Sequence, residues 1–254
     1  PETNLVILIS AMDKTTNNLE KVWELYINNY TTGSMKELDK TIVFHEEIYT
    51  KLNLKSNAIF ISNFNALVKE LKAFLCAPNS KNHAYCYDQI VSYGELFSTL
   101  IISTYLNANG IENKWLDARE LIHTSSHHQE GRVSWEKSKQ QILSKTKNQK
   151  TIFISQGFIG SDDKNNTTTL GREGSDYSAA IFAWALEAKE LVIWKDVPGL
   201  LNADPKVFKE TQKIDHISYK EAIELSYYGA SVIHPKTIKP LQNKGIPLTI
   251  RSFI

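Results

Sequence analysis

The stretch Thr167–Ala180 reads T-T-T-L-G-R-E-G-S-D-Y-S-A-A. A β-rich run, Thr151–Ser155, and a polar loop over Asp162–Thr169 lead into it, and Ser178–Ala188 follows as a helix-like run of Ala, Ile, Phe, Trp and Leu. Two glycines, an arginine and an aspartate therefore stand where a loop enters a helix. Such a junction offers free backbone N–H groups and the positive end of a helix dipole, both of which attract phosphate or carboxylate. Gly171 and Gly174 permit positive φ or close backbone approach, and Arg172 can grip a carboxylate through two parallel hydrogen bonds. The same residues also read as an ordinary capped helix, with Ser175 as N-cap and Asp176 in the first turn.

The chain has 254 residues, enough to bury a substantial core as one large domain or two lobes. Hydrophobic residues at 42% and charged residues at 22% place it among ordinary globular proteins. A formal net charge of +1 gives no strong pull towards nucleic acid or anionic lipid, so neither is expected as a partner. No apolar run approaches the length of a membrane span, and Pro1–Ser10 lacks the pattern of a secretory signal. Cys76 and Cys86 fall in what reads as a polar loop region, without the paired spacing of a zinc site. They could pair, but two thiols in a chain of this size fit a reducing cytosol better, and a cytoplasmic setting is expected.

Taken in order, Leu5–Ile9 is a short apolar run, as for a strand buried on both faces of a parallel sheet. Thr15 and Thr16 offer N-cap hydroxyls to a helix with Leu19, Val22, Trp23, Tyr26 and Ile27 at helical spacing. Residues 31–75 read as several helices, one with a stripe of Leu38, Ile42, His45, Ile48 and Leu52, another with Phe64, Leu67, Val68, Leu71 and Phe74. His45 reads as a satisfied side chain at a core edge. Ser92-Tyr93-Gly94-Glu95 fits a capping box, which would give Glu95 a purely structural task. His123, His127 and His128 fall in what reads as a surface loop, with no metal-site spacing. No metal ligand is assigned.

Further on, Thr151–Ser155 and Leu191–Trp194 read as strands, and Lys195–Gly199 and Asp204–Lys206 as turns. Ser218-Tyr219-Lys220-Glu221 is a second capping box, Pro235 suits a helix's first turn, and Leu248–Ile250 reads as a closing strand. Strand, loop, helix and strand in this order give an α/β fold with parallel pairing, whose ligands sit beyond the carboxyl ends of the strands.

Six further motifs run nearly end to end: S-A-M-D-K-T-T-N at Ser10–Asn17, V-S-Y-G-E-L at Val91–Leu96, and S-Q-G-F-I-G at Ser155–Gly160; then W-K-D-V-P-G at Trp194–Gly199, N-A-D-P-K at Asn202–Lys206, and Y-G-A-S-V-I-H-P-K-T at Tyr228–Thr237. With T-T-L-G-R-x-G-S-D-Y-x-A-A, they resemble, in the order required, the signatures of aspartokinases in the amino-acid kinase family. The resemblance implies a three-layer αβα sandwich around a mostly parallel central sheet. It also implies an aspartate lobe over residues 1–150, a nucleotide lobe over 151–254, and a homodimer.

The implied activity is transfer of the γ-phosphoryl group of ATP, with Mg2+, to the β-carboxylate of L-aspartate, the first step towards lysine, threonine and methionine. By the same resemblance Ser10, Ala11, Thr16, Phe158, Gly174 and Ser175 line the aspartate site. Glu95 would bind the α-ammonium, Arg172 the α-carboxylate, and Asp176 would organise the donors at the transfer point. Lys195, Asp196, Leu201, Lys206, Ser231 and Val232 would surround the nucleotide.

The chain departs from the family pattern in places. Residues 1–4 do not resemble the family's K-F-G-G-T-S strand and loop. The sequence is therefore expected to start after that element and to stop near the end of the catalytic unit, short of the regulatory ACT domains usual in the family. Glu173-Gly174 stands where many members have two glycines, and a carboxylate beside a triphosphate should point away or meet a cation. Ser231 stands where many members carry lysine, and Lys195 where threonine is frequent, so Lys195 is expected to supply the missing ammonium. The competing expectations are a kinase for glutamate, acetylglutamate or a nucleoside monophosphate, and a truncated chain that binds without turning over. The pairing of Glu95 with Arg172 suits a free α-amino acid and argues against other acceptors.

Overall fold

The computed structural model describes residues 5–78, 82–147, 149–197, 199–202, 208, 210–227 and 232–253. Lys206 and Ser231, two of the expected nucleotide residues, lie outside them. The chain forms two compact units, Pro1–Ser175 and Asp176–Ile254. Residues 151–175 thus fold with the first unit, past the 150/151 boundary expected between lobes. The reason is strand pairing, described next.

In the first unit, β1 (Leu5–Ile9), β2 (Asn113–Leu116) and β3 (Ile152–Gln156) form a parallel sheet with β3 in the middle. Ile9 pairs with Gln156 and Leu116 with Ser155, so the carboxyl ends of the strands are aligned. Phe153 and Ile154 on the central strand are fully buried. β1 is not buried on both faces as expected: it lies at the edge of this sheet, half-buried, with Leu5 48% exposed.

Helices α1 (Thr15–Ile27), α2 (Thr31–Lys51), α3 (Ala58–Cys76), α4 (His83–Val91) and α5 (Tyr93–Ala108) supply most of this unit's core. The expected stripes face inward, with Leu19, Val22, Leu38, Phe64 and Leu71 fully buried. His45 is deeper than a core edge: it is fully buried, its Nδ1 lies 2.7 Å from the Thr41 carbonyl, and burial lowers its pKa. Cys76 and Cys86 are helical rather than loop residues, one exposed and one buried. Thr15 and Thr16 are the first residues of α1 and not its cap, which is Lys14.

Helix α6 (Trp135–Thr146) follows the histidine-bearing segment. His128 is almost buried there, 2.7 Å from Asp88, so the segment is more than a surface loop. Strands β4 (Ile159–Ser161) and β5 (Thr167–Thr169) form an antiparallel pair, which corrects the polar loop expected over Asp162–Thr169. All three threonines of β5 are buried, because tertiary partners satisfy a strand too short to be read from local pattern.

Helix α7 (Gly174–Leu186) opens at the end of the first unit and continues into the second. There, β6 (Leu191–Lys195) and β7 (Leu248–Ser252) pair in parallel, accompanied by α8 (Tyr219–Tyr227) and α9 (Pro235–Lys244). The capping box before α8 forms in full: Glu221 Oε2 accepts from Ser218 N at 3.0 Å, and Ser218 Oγ from Glu221 N at 3.3 Å. Pro235 is in the first turn of α9, which ends on Gly245 at φ +64°. No helix among the described residues is long and apolar enough to cross a membrane.

Candidate active site

The carboxyl ends of β1 and β3 are the focus of the first unit. Beyond β1 the chain turns through Ser10 and Ala11 onto the N-terminus of α5. Ser98 Oγ donates to the Ser10 carbonyl at 2.8 Å, and a Cβ on Gly94 would stand 2.9 Å from that of Ala11. Only glycine permits that approach. It brings Glu95 to the Ala11 amide, whose N–H donates to Oε1 at 3.4 Å.

Glu95 is 3% exposed, and its Oε2 is buried with no hydrogen-bond partner. Burial pushes its carboxyl up to about 8, and the Ala11 and Glu95 backbone N–H groups offset this only in part. The capping box expected here does not form. Ser92 follows α4 directly and keeps helical backbone angles, so neither its hydroxyl nor Glu95 can fold back as a cap. The carboxylate is therefore left available for another partner. Thr16 is half-buried in the first turn of α1, beside Thr15, whose methyl would lie 3.3 Å from a Cβ on Gly94.

Beyond β3, Gly157 and Phe158 turn the chain, with Phe158 at φ +67°. Gly157 N donates to the Ile9 carbonyl at 3.2 Å, which ties this turn to the end of β1. A Cβ on Gly157 would meet Ser175 Cβ at 2.7 Å, and one on Gly174 would meet Phe158 Cδ2 at 2.5 Å. The signature glycines thus let the start of α7 rest directly on this turn. Ser175 lies inside the first turn of α7 and is not its N-cap, since the helix already begins at Gly174.

Positive φ belongs to Gly171 at +72° and to Glu173 at +53°, not to Gly174. Glu173 therefore holds a backbone conformation natural to glycine. It meets no cation among the described residues, and its Oε2 is buried without a partner. Arg172, between these two positions, is exposed.

The remaining expected residues belong to the second unit. The Lys195 ammonium, at the end of β6, lies 2.8 Å from Asp176 Oδ2 and donates to the Val232 carbonyl at 2.6 Å. Asp176, Lys195 and Val232, which fall in three separate motifs, are thus brought together. Asp196 is exposed, and Leu201 bridges to Lys213, away from any contact with that trio among the described contacts.

Sequence reasoning missed the polar groups beneath the site. Gln156, the last residue of β3, is fully buried; its Oε1 accepts from Ala118 N at 2.6 Å and its Nε2 donates to Thr99 Oγ1 at 2.7 Å. Thr99 Oγ1 in turn donates to the Glu95 carbonyl at 2.8 Å and accepts from Trp115 Nε1 at 2.9 Å. This chain of bonds joins the Glu95 helix to the Gly157–Phe158 turn. The one signal for it was a polar Gln ending an apolar strand.

The profile of the amino acid kinase family matches residues 2–252. Lysine-sensitive aspartokinase 3 of Escherichia coli is 40% identical over 171 residues, 65% of this chain and 37% of that protein. The bifunctional aspartokinase/homoserine dehydrogenase 2 of Arabidopsis thaliana is 34% identical over 98% of this chain and 28% of its own length. Among solved structures, E. coli aspartokinase III in complex with aspartate and ADP superposes with a TM-score of 0.85 at 30% identity, covering 98% of this chain and 55% of that one. The chain thus spans between about a quarter and a little over half of these relatives. With the profile matched nearly end to end and the fold shared, this chain belongs to the amino acid kinase family.

Proposed function

We propose that the chain carries the catalytic unit of an aspartate kinase, which transfers the γ-phosphoryl group of ATP to the β-carboxylate of L-aspartate and yields 4-phospho-L-aspartate and ADP. The observation that carries this reading is the buried carboxylate of Glu95, with one oxygen unpartnered, beyond the carboxyl ends of β1 and β3. A carboxyl group is retained in such a place when a cation comes to meet it. An α-ammonium fits that need, and the exposed Arg172 guanidinium suits the α-carboxylate of the same acceptor. Ser10, Ala11, Thr16, Phe158, Gly174 and Ser175 frame the rest of the acceptor in this proposal.

The β-carboxylate is an anion at neutral pH, so no base is needed to activate it. One of its oxygens attacks the γ-phosphorus as the bond to the ADP oxygen breaks, and no proton changes hands. What the protein must supply is alignment and relief of charge repulsion. We assign that task on the donor side to Lys195, held by Asp176 and Val232, with Asp196, Leu201, Lys206 and Ser231 around the nucleotide. Mg2+ would enter with the phosphates and neutralise their charge. A hard cation of this kind takes most of its ligands from phosphate and water.

A homodimer and a reducing, cytoplasmic setting belong to the same proposal. The acceptor is tested by coupled ADP release with L-aspartate, L-glutamate, N-acetylglutamate and UMP. Aspartate-dependent release supports the proposal, and preference for another acceptor overturns it.

A further inference from the structure

We propose that Asp88 is a positioning residue for acceptor binding, fixing through Thr169 the strand that delivers Leu170, Gly171 and Arg172. The inference rests on the reading of Arg172 as the acceptor's carboxylate grip. Asp88 lies in α4 and is fully buried. Its carboxylate accepts from Thr169 Oγ1 at 2.7 Å and from Gln129 N at 3.1 Å to each oxygen, and lies 2.7 Å from His128 Nδ1. A buried carboxyl is costly unless its lone pairs are satisfied, and here groups from two separate segments, β5 and the loop of His128 and Gln129, converge on it.

The same pattern extends along all of β5. Gln89 Nε2 donates to the Thr167 carbonyl at 2.8 Å, Thr168 Oγ1 is 2.6 Å from Thr124 Oγ1, and the Thr169 carbonyl accepts from Gly131 N at 2.8 Å. A two-stranded pair of three residues each holds poorly by itself. These side-chain clamps supply what the pairing with β4 lacks. Immediately beyond them, Leu170 N donates to the Phe158 carbonyl at 2.8 Å, and the chain then enters the left-handed turn at Gly171. The Asp88–Thr169 bond is thus the last side-chain clamp on the strand before Arg172. Play at that point displaces the guanidinium, and a displacement of about 1 Å at a reacting centre can cost on the order of 100-fold.

The test uses Thr169→Val, which keeps shape and removes only the hydroxyl, beside Asp88→Asn, with folding verified by circular dichroism. Two readouts are taken: KM for aspartate against KM for ATP, and exchange of the Leu170 amide by NMR. The expected result for Thr169→Val is a KM for aspartate raised about tenfold, a KM for ATP within about twofold of wild type, and faster Leu170 exchange. Thr169→Ser should restore all three. Unchanged Leu170 exchange, or a fall in kcat with both KM values untouched, would overturn the inference in favour of simple structural support. If the wild-type protein phosphorylates no aspartate, the reading of Arg172 fails instead, and slow Leu170 exchange in Thr169→Val still overturns the clamp.

Discussion

The Lys195 ammonium stands between two oxygens, 2.8 Å from the Asp176 carboxylate and 2.6 Å from the Val232 carbonyl. Both charged side chains are partly exposed, at 21% and 17%, so their pairing contributes only about 0–1 kcal/mol to folding. Its consequence is orientation: a long flexible side chain at a strand end is held in one place, as the proposed role beside the phosphates requires.

Replacing Lys195 with Ala should therefore spare the fold and damage phosphoryl transfer. We expect kcat/KM for ATP to fall on the order of 100-fold, with KM for aspartate little changed. Steady-state kinetics with each substrate varied in turn measures this. Wild-type ATP affinity and turnover in the variant would show that Lys195 does not supply the ammonium proposed for the nucleotide side.

Glu95→Gln separates binding from stability. Loss of the carboxylate should weaken aspartate binding by a factor of about 10–100, the worth of a hydrogen bond to a charged group, without altering KM for ATP. Undiminished aspartate affinity in the glutamine variant would count against an ammonium at this site.

The same carboxyl makes stability depend on pH. Burial raises it from an ordinary value near 4.5 to about 8, so between those values the folded chain binds a proton that the unfolded chain gives up. The contribution is fully present below about 4.5 and is lost as pH rises through about 8. Wild type should therefore lose stability relative to Glu95→Gln as pH is raised across that window, as seen in denaturant melts. An approaching ammonium favours the ionised form, so aspartate binding near pH 6.5 should release a proton in wild type and none in the variant. Calorimetry in buffers of different ionisation enthalpy detects it, and equal heats in all buffers would contradict it.

Glu173→Gly should stabilise the protein. The residue sits at φ +53°, where a side chain costs about 1–2 kcal/mol, and its Oε2 is buried without a partner. Glycine's greater freedom in the unfolded chain offsets part of the gain. A rise in Tm of about 2–4 °C is expected for a chain of this size. A fall would mean that the glutamate has a partner worth more than the strain.

The sheet strands and long helices were legible because apolar runs and helical stripes, such as Thr151–Ser155 and Leu38–Leu52, specify their own burial. Local rules failed where neighbouring elements decide. Two capping boxes share one pattern; Ser218 caps α8, whereas Ser92 is held helical by the preceding α4. Thr167–Thr169 looked like loop because its partners, Gln89, Thr124 and Asp88, lie far away in sequence. The candidate site was legible as a set of motifs, and Asp176, Lys195 and Val232 do meet. That Glu173, not Gly174, takes the left-handed turn required backbone angles no spacing reveals.

The most direct measurement is trapping of the acyl phosphate with hydroxylamine, in the presence of ATP, Mg2+ and L-aspartate. The expected result is aspartyl hydroxamate formed one for one with ADP, and strongly reduced by Glu95→Gln at subsaturating aspartate. ADP without hydroxamate, or equal hydroxamate from glutamate, would contradict an aspartate kinase built around Glu95.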